Sequence, residues 1–264
     1  MLNLKRITAS LLLVAALVIS PLSLADDAAK GLEIAKERKA RDAGWGSSES
    51  DTLMVLRDAQ GNESVRAIRA KALEVKGDGD KSLTVFDQPA DVKGTAFLSF
   101  SHIEDADEQW LYLPAIKRVK RISSNNKSGP FMSSEFAYED MSSFELAKYK
   151  FNYLRDEKLN GLDCFVVEAT PTDRFSGYTK IISWIDKQHY RVMKNEFYDR
   201  KKALLKTMTM SDYQLYLDKY WRPKRLDVIN HQTGKSTSLI VKQINFNVDL
   251  DDNDFNKNSL KRVR

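Results

Sequence analysis

The chain has 264 residues, and its 42 lysine and arginine residues against 37 aspartate and glutamate residues give a net charge of +5 at pH 7. Both signs are spread along the whole chain, which argues against a dedicated nucleic-acid-binding surface. The single cysteine excludes an internal disulfide. Cys164 lies in the apolar run LDCFVV, so we predict a small buried hydrophobic residue there rather than a nucleophile.

The N-terminus predicts a secretory signal peptide over residues 1–25. Lys5 and Arg6 precede the apolar run LLLVAALVIS, and small residues end the segment at Ala25. This order predicts cleavage between Ala25 and Asp26, and the apolar run is too short to span a bilayer. Because Asp26 and not cysteine follows the cut, the sequence lacks a lipidation signal. We therefore expect an exported chain that folds as a single domain over residues 26–264.

The rest of the chain predicts one helix followed by strands. Residues 26–42 place Ala28, Leu32 and Ala35 on one face, with acidic residues first and basic residues last, which favours an amphipathic helix. Apolar residues then recur with period 2 in short runs bounded by turn signals such as GDGD and NG. About eleven or more antiparallel strands predict a large curved sheet or an open barrel.

Several predicted strands are apolar on both faces. In YTKIISWID, the alternation directs Tyr178, Ile182 and Trp184 to one side and Ile181 and Ile185 to the other. A sheet with one solvated face should alternate apolar and polar residues. Either the N-terminal helix and packed side chains cover both faces, or one face holds an apolar ligand cavity; the pattern allows both.

The stretch GPFMSSEFAYEDM, residues 129–141, differs from the strands around it. Its apolar residues have a helical spacing, and adaptable methionine and aromatic side chains suit a cover over a cavity. We predict a short helical lid, with strand residues forming the wall of the cavity. The lid candidates are Phe131, Met132, Phe136, Tyr138 and Met141, and the wall candidates are Phe97, Trp110 and Trp184.

No motif predicts catalysis, a metal or a cofactor. The sequence contains no G-x-S-x-G, H-E-x-x-H or C-x-x-C. The S-x-x-K match at residues 124–127 lies in a polar loop, and its companion motifs are missing. The acidic stretch VDLDDNDFNKNSL lacks the glycine and glutamate of a calcium loop and instead predicts a helix cap at Asp252 or Asp254. We expect no enzyme.

A basic strand, AIKRVKRIS, directly precedes the predicted lid. It could face anionic lipid head groups or a membrane-protein partner, or it could be a charged edge strand that blocks aggregation. The residues concerned are Lys117, Arg118, Lys120 and Arg121.

Five ordered blocks resemble the LolA-like outer-membrane lipoprotein-sorting proteins of Gram-negative bacteria. They are DQPADVKGTAFL (87–98), WLYLPAIKRVKRI (110–122), GPFMSSEFAYEDM (129–141), WIDKQHYRVMKNEFYD (184–199) and YWRPKRLDVINHQTGKSTSL (220–239). The resemblance implies an unclosed antiparallel barrel of about eleven strands, with helices as a lid over a hydrophobic cavity. It also implies a periplasmic carrier of lipoprotein acyl chains or a free lipid, with an exporter of the resistance-nodulation-division type as a partner.

Two other functions stay open from the residues. The same fold could serve as a lipid-sensing or exporter-docking module that carries no cargo. A periplasmic enzyme with an unrecognised site is the third alternative.

Overall fold

A computed structural model describes the backbone of residues 22–262 and the side chains of residues 25–262. Residues 1–21 of the predicted signal peptide lie outside the described residues. The helix α1 spans Leu22–Asp42, so it begins four residues before the predicted start and ends at the predicted residue. Lys39 and Arg41 lie in its last turn, where their positive charges interact favourably with the negative end of the helix dipole. Gly44 and Gly46, both with positive φ, then turn the chain into the first strand.

Thirteen strands follow α1 in the described part of the chain, where about eleven were predicted. They are β1 (Ser47–Arg57), β2 (Glu63–Leu73), β3 (Lys81–Gln88), β4 (Ala96–Phe100), β5 (Glu108–Leu113), β6 (Arg118–Ile122), β7 (Tyr149–Leu159), β8 (Leu162–Pro171), β9 (Tyr178–Asp186), β10 (Val192–Asp199), β11 (Leu204–Tyr216), β12 (Tyr220–Asn230) and β13 (Ser236–Phe246).

All thirteen strands form one antiparallel sheet in the order β6-β5-β4-β3-β2-β1-β13-β12-β11-β10-β9-β8-β7. Every neighbour except the β1–β13 pair is also a neighbour in sequence. The two edges are β6 and β7, and no pairing among the described residues joins them. The sheet is therefore a barrel that has not closed, and the chain from β6 to β7 must cross from one edge to the other.

The curvature of the sheet follows from its core. Phe97 of β4 and Phe197 of β10 belong to the same hydrophobic cluster, although seven strand intervals separate them in sheet order. At about 4.8 Å per interval, a flat sheet would hold them roughly 34 Å apart. The sheet must curl for both to share one core, and we call the face that carries them the inner face.

The helix α1 covers the β7 end of the inner face. Ile34 and Ala35 pack with Phe151 of β7 and Ile185 of β9. The closest approach is backbone to backbone, since a Cβ added at Gly31 would lie 2.7 Å from the amide nitrogen of Tyr153. The position of α1 on the sheet thus depends on this glycine.

A C-terminal segment that the sequence did not reveal covers part of the outer face. Phe255 and Leu260, 3% and 1% exposed, pack against Val85, Leu98 and Trp110. The cap predicted nearby is made differently: the side chain of Asp251 accepts from the amide of Asn253, and Asp254 accepts from the amide of Asp251. Packing by α1 and by the C-terminal segment therefore explains much of why the strands are apolar on both faces.

Strand β9 departs from the predicted alternation. Its pairing with β10 shifts between Tyr198 and Asp199, so Tyr178 points inward together with Ile181. Trp184 points outward into a small cluster with Cys164, which is fully buried as predicted.

Candidate ligand-binding site

The segment that connects the two edge strands, residues 123–148, lies over the inner face. We call residues 129–141 of this connection the strap. The helical spacing of the strap does not produce an α-helix: it contains two short 3-10 turns, Phe131–Ser133 and Tyr138–Met141. A bridge between Pro130 and Ala137 folds the strap back on itself. The predicted helical lid is therefore wrong in secondary structure.

The apolar side chains of the strap point into the core. Phe131 is fully buried and Phe136 is 3% exposed. The ring centroid of Phe131 lies 5.0 Å from that of Phe97 and 5.7 Å from that of Tyr138, both at edge-to-face angles. Met132, Tyr138 and Met141 are partly buried against the same cluster. The six predicted residues Phe97, Phe131, Met132, Phe136, Tyr138 and Met141 thus come together.

Two predicted wall residues do not join them. Trp110 lies on the outer face, because it pairs across the ladder with Leu98 and shares that residue's cluster. Trp184 also points outward, where its indole N–H donates to Glu157 at 3.0 Å and the ammonium of Lys194 lies 3.4 Å from its ring centroid. The structure therefore places Trp110 and Trp184 on the side of the sheet away from the strap.

A buried ion pair ties the strap to the inner face. The Nζ of Lys206 on β11 donates to a carboxylate oxygen of Asp140, and their side chains are only 3% and 5% exposed. The same ammonium donates to the carbonyl of Glu135 at 2.9 Å. The hydroxyl of Tyr178 donates to the other oxygen of Asp140 at 2.8 Å. Charged groups that are this deeply buried need such partners, so these contacts fix the position of the strap on the inner face.

Further polar contacts hold the middle and the C-terminal part of the strap. The carboxylate of Glu135 accepts from the side-chain amide of Asn230 at 2.7 Å, and its backbone amide donates to Thr237 at 3.0 Å. Gln109 donates to the carbonyl of Tyr138 at 2.9 Å. The strap therefore combines apolar side chains on the sheet with polar contacts around them.

Two consecutive strap residues have unusual backbone angles. Met132 and Ser133 have φ values of 50° and 62°, in the left-handed region that residues other than glycine rarely adopt. Each such residue costs on the order of 1 kcal/mol or more, and this kind of strain persists where surrounding contacts impose it. The guanidinium of Arg66 donates to the carbonyl of Met132 at this point.

The basic strand predicted to face a partner is β6, one of the two edges of the sheet. Lys117, Arg118 and Lys120 are exposed. Arg121 is exposed as well but donates to Glu108 on β5 at 3.0 Å. The position at an edge fits the charged-edge interpretation, because unpaired edges invite pairing with other chains.

A cavity of about 510 Å³ lies on the inner face between α1, the strap and strands β8–β11. This volume is within the range of small-molecule sites. Ile181, Phe197 and Met208 form an apolar part of its lining. Arg38 and Asn195 contribute polar groups, so the lining is mixed rather than wholly apolar. The strap contributes Glu139 and Asp140 to this lining, whereas its five apolar residues lie outside it in the adjacent core cluster.

Most acidic groups of this cavity have partners of their own. Asp140 binds Lys206 and Tyr178, as described above. Glu139 accepts from the hydroxyl of Ser176 at 2.7 Å and from the amide of Gly177 at 2.8 Å. Burial raises the pKa of Glu139, since loss of water disfavours its charged form.

A second cavity, of about 550 Å³, lies on the outer face beside the C-terminal segment. Arg69 and Lys71 line it, but they already bind Asp87 and Asp254. Arg69 and Lys71 are thus paired, and the other charged residues of the lining, Glu49, Asp51 and Arg262, are exposed to water, so this cavity is a poorer candidate for a ligand site.

The described part of the chain contains neither a metal-binding cluster nor a membrane-spanning helix. In this part of the chain no three of the residues histidine, cysteine, aspartate and glutamate come together in a way that could hold a metal. No helix within residues 22–262 has the length and apolar character needed to cross a membrane.

Comparison with known proteins agrees with this architecture. A family model described as "-like: Uncharacterized protein" matches residues 78–262. A solved outer membrane lipoprotein-sorting protein domain from Vibrio parahaemolyticus is 65% identical, with a TM-score of 0.88 over 89% of this chain and 100% of that one. A DUF1329 family protein from Desulfovibrio piger is 27% identical, with a TM-score of 0.84 over 89% and 99% of the two chains.

A third solved structure shares the fold alone. A LolA superfamily protein from Nitrosomonas europaea has a TM-score of 0.70 at 22% identity, over 86% of this chain and 98% of that one. A search of the curated proteins found no match. The open antiparallel sheet with its N-terminal helix is a LolA-like fold. The chain belongs to the LolA-like outer membrane lipoprotein-sorting family.

Proposed function

We propose that this protein is a periplasmic carrier that binds lipoprotein acyl chains or a free lipid on the inner face of its sheet. The observation that carries the proposal is the strap: it lays five apolar side chains on the inner face but is fixed there by polar contacts. The name of the Vibrio relative, a lipoprotein-sorting domain, supports the same function. The signal peptide predicted over residues 1–25 supports a periplasmic location.

The energies of the strap and of an acyl chain are similar. Burial of an apolar side chain stabilises by about 1.5–3 kcal/mol, which for the five strap residues amounts to roughly 8–15 kcal/mol. An acyl chain of about sixteen carbons gains roughly 12 kcal/mol at about 0.8 kcal/mol per methylene. The apolar burial of an acyl chain in the cavity would therefore be comparable to the apolar burial that holds the strap in place. The strap acts in this proposal as a lid over the acyl chain.

Binding of a fluorescent fatty acyl probe to delipidated protein tests the lid. Phe136→Asp and Met141→Asp should weaken binding by at least tenfold, because a carboxylate cannot be buried in the apolar cluster and the strap would no longer be held over the cavity. Ile229→Asp is the matched control, since Ile229 is 52% exposed and lies away from the strap. Thermal unfolding checks that each variant is folded. If both strap variants bind as tightly as the wild type, the strap is not the lid.

The exposed basic edge β6 supports a docking role as a second candidate function. Lys117, Arg118 and Lys120 have no ion-pair partner among the described residues, and Ile116 beside them is 50% exposed. A partner such as an exporter of the resistance-nodulation-division type could bind there, with or without lipid transport. Native mass spectrometry of protein from the periplasm separates the two functions: retained lipid supports the carrier, and an empty protein that binds an exporter domain supports the docking module.

A further inference from the structure

Arg38 is a cation on the inner face without an anionic partner. It lies on α1 and lines the 510 Å³ cavity. Within residues 25–262 its guanidinium makes no ion pair and donates no hydrogen bond; its Cζ lies instead 4.1 Å from the ring centroid of Phe144. The two acidic residues closest to it on the helix are bound elsewhere, Glu37 by Arg41 and Asp42 by Arg222. A partly buried cation that lines a cavity and has no ion pair is a candidate for a ligand contact.

Arg38 and the neighbouring Tyr149 are both partly buried in the lining of the cavity. Burial lowers the pKa of the Arg38 guanidinium, because a cation with little water contact is disfavoured. Burial likewise raises the pKa of the nearby Tyr149 hydroxyl, with a smaller contribution from the Glu139 carboxylate, so this hydroxyl stays protonated. Tyr149 lines the same cavity and is available as a donor beside the guanidinium.

The cavity contains a second polar group without a partner. The Oδ1 of Asn195 on β10 is buried and has no hydrogen bond. A buried polar atom without a partner costs about 1–3 kcal/mol, and this oxygen can be satisfied only by a hydrogen-bond donor of a ligand, such as a hydroxyl or an N–H group. Asn195 lies between Phe197 on its own strand and Ser183 across the ladder, on the way from α1 to the apolar part of the cavity.

The cavity acids do not compensate Arg38. Asp107 binds Lys148, and Asp173 binds Lys127. Glu139 and Asp140 have the partners described above. The remaining acidic groups of the lining, Glu104 and Asp105, are exposed at its rim. Among the described residues of the lining, Arg38 is therefore the cation without an ion pair, whereas Lys127 and Lys148 are paired.

We propose that the lipid bound by this protein has an anionic head group, a carboxylate or a phosphate, which the Arg38 guanidinium binds at the α1 end of the cavity. The acyl chain then runs toward Phe197 and Met208, beneath the strap. A guanidinium is suited to this role because its parallel N–H groups match two oxygens of a carboxylate or phosphate. The inference rests on the proposed carrier function and adds the class of head group.

Three ligands with the same sixteen-carbon chain test this: palmitate, hexadecyl phosphate and hexadecanol, each displacing an acyl probe from the delipidated protein. The wild type should bind at least one of the two anions about 10- to 100-fold more tightly than the alcohol, the range of one or two charge-assisted hydrogen bonds. The anion that binds more tightly identifies the source as a carboxylate or a phosphate. Hexadecyltrimethylammonium binding more tightly than both anions would overturn the proposal.

Variants of α1 separate the head group from the acyl chain. Arg38→Gln should remove the preference for the anions and leave hexadecanol affinity within about twofold, whereas Arg38→Lys should keep part of the preference. Arg41→Gln removes the same charge from the exposed side of the same helix and should change nothing. If all three ligands bind equally and Arg38→Gln has no effect, the head-group inference fails and the carrier function stands. If none binds, the carrier function itself fails.

Discussion

Replacing Lys206 by methionine removes the cation that fixes the strap. Methionine keeps the apolar stem of the side chain but loses the ion pair with Asp140 and the hydrogen bond to the carbonyl of Glu135. Asp140 would keep its bonds from the hydroxyl of Tyr178 and the amide of Ala137. Removing one partner of a buried pair usually costs about 3–5 kcal/mol, and with these two bonds left we expect the lower end, about 3 kcal/mol.

The loss should appear first in the strap. Because the strap joins the two edges of the sheet and is not part of the ladder, its amides can open without unfolding the strands. Hydrogen exchange of the amides of Phe131 and Tyr138, which donate to Phe136 and Gly129, should accelerate before that of the strands. Urea unfolding gives the change in global stability.

An exposed pair provides the matched control. Lys158 and Asp163 lie 2.8 Å apart with side chains 70% and 65% exposed, so Lys158→Met should cost less than about 1 kcal/mol. The Lys206→Met, Asp140→Asn double variant should recover part of the loss, because no unpaired charge remains. If Lys206→Met is no more destabilising than Lys158→Met and strap exchange is unchanged, the ion pair does not hold the strap.

Two further predictions concern the pH dependence of stability and the position of α1 against β7. Burial raises the pKa of Asp80 from its ordinary 3.8 to about 6, so the folded chain binds this proton more tightly than the unfolded chain. The resulting stabilisation is complete below about pH 4 and is lost as the pH rises through 6. Asp80→Asn should therefore stabilise the protein at pH 7.5 by up to about 3 kcal/mol and have little effect at pH 4. Urea unfolding at both pH values measures the difference. Equal effects at the two pH values would contradict the assignment. Gly31→Ala would place a Cβ 2.7 Å from the backbone of Tyr153, so α1 must shift and we expect a lower melting temperature and weaker binding of the acyl probe. An unchanged melting temperature together with unchanged binding would show that α1 does not sit against β7 in this way.

Period-2 patterns predicted the strands well, since each strand has a turn signal at its ends. The thirteen strands agree with the eleven or more that the pattern predicted and exceed the about eleven that the resemblance implied, and the fold class was correct. The strap misled the prediction for a physical reason. Its apolar spacing resembles that of a helix, yet the side chains of Phe131 and Phe136 reach the core from two separate 3-10 turns. The spacing of apolar residues shows which side chains are buried, but it does not show which backbone conformation brings them to the core.

The candidate site was only partly predictable. The aromatic residues of the strap are visible in the sequence because a dense apolar stretch between strands is unusual. Trp110 and Trp184 have the same composition signal, but the register of β5 and the irregular pairing of β9 direct them outward. Arg38 and Asn195 gave no signal, because one charged residue on a helix and one amide on a strand are ordinary until a cavity encloses them.

The sequence by itself determined the class of fold, the helix ending at Asp42, the burial of Cys164 and the family, since these depend on local periodicity, composition and ordered blocks of residues. Only the tertiary structure decided which side of the sheet is inside. It brought β4 and β10 into one core, led the connection between β6 and β7 across the opening, and left the guanidinium of Arg38 unpaired in the cavity. The physical reason is that curvature and strand register set which distant side chains meet, and neither is encoded in any local stretch of the chain.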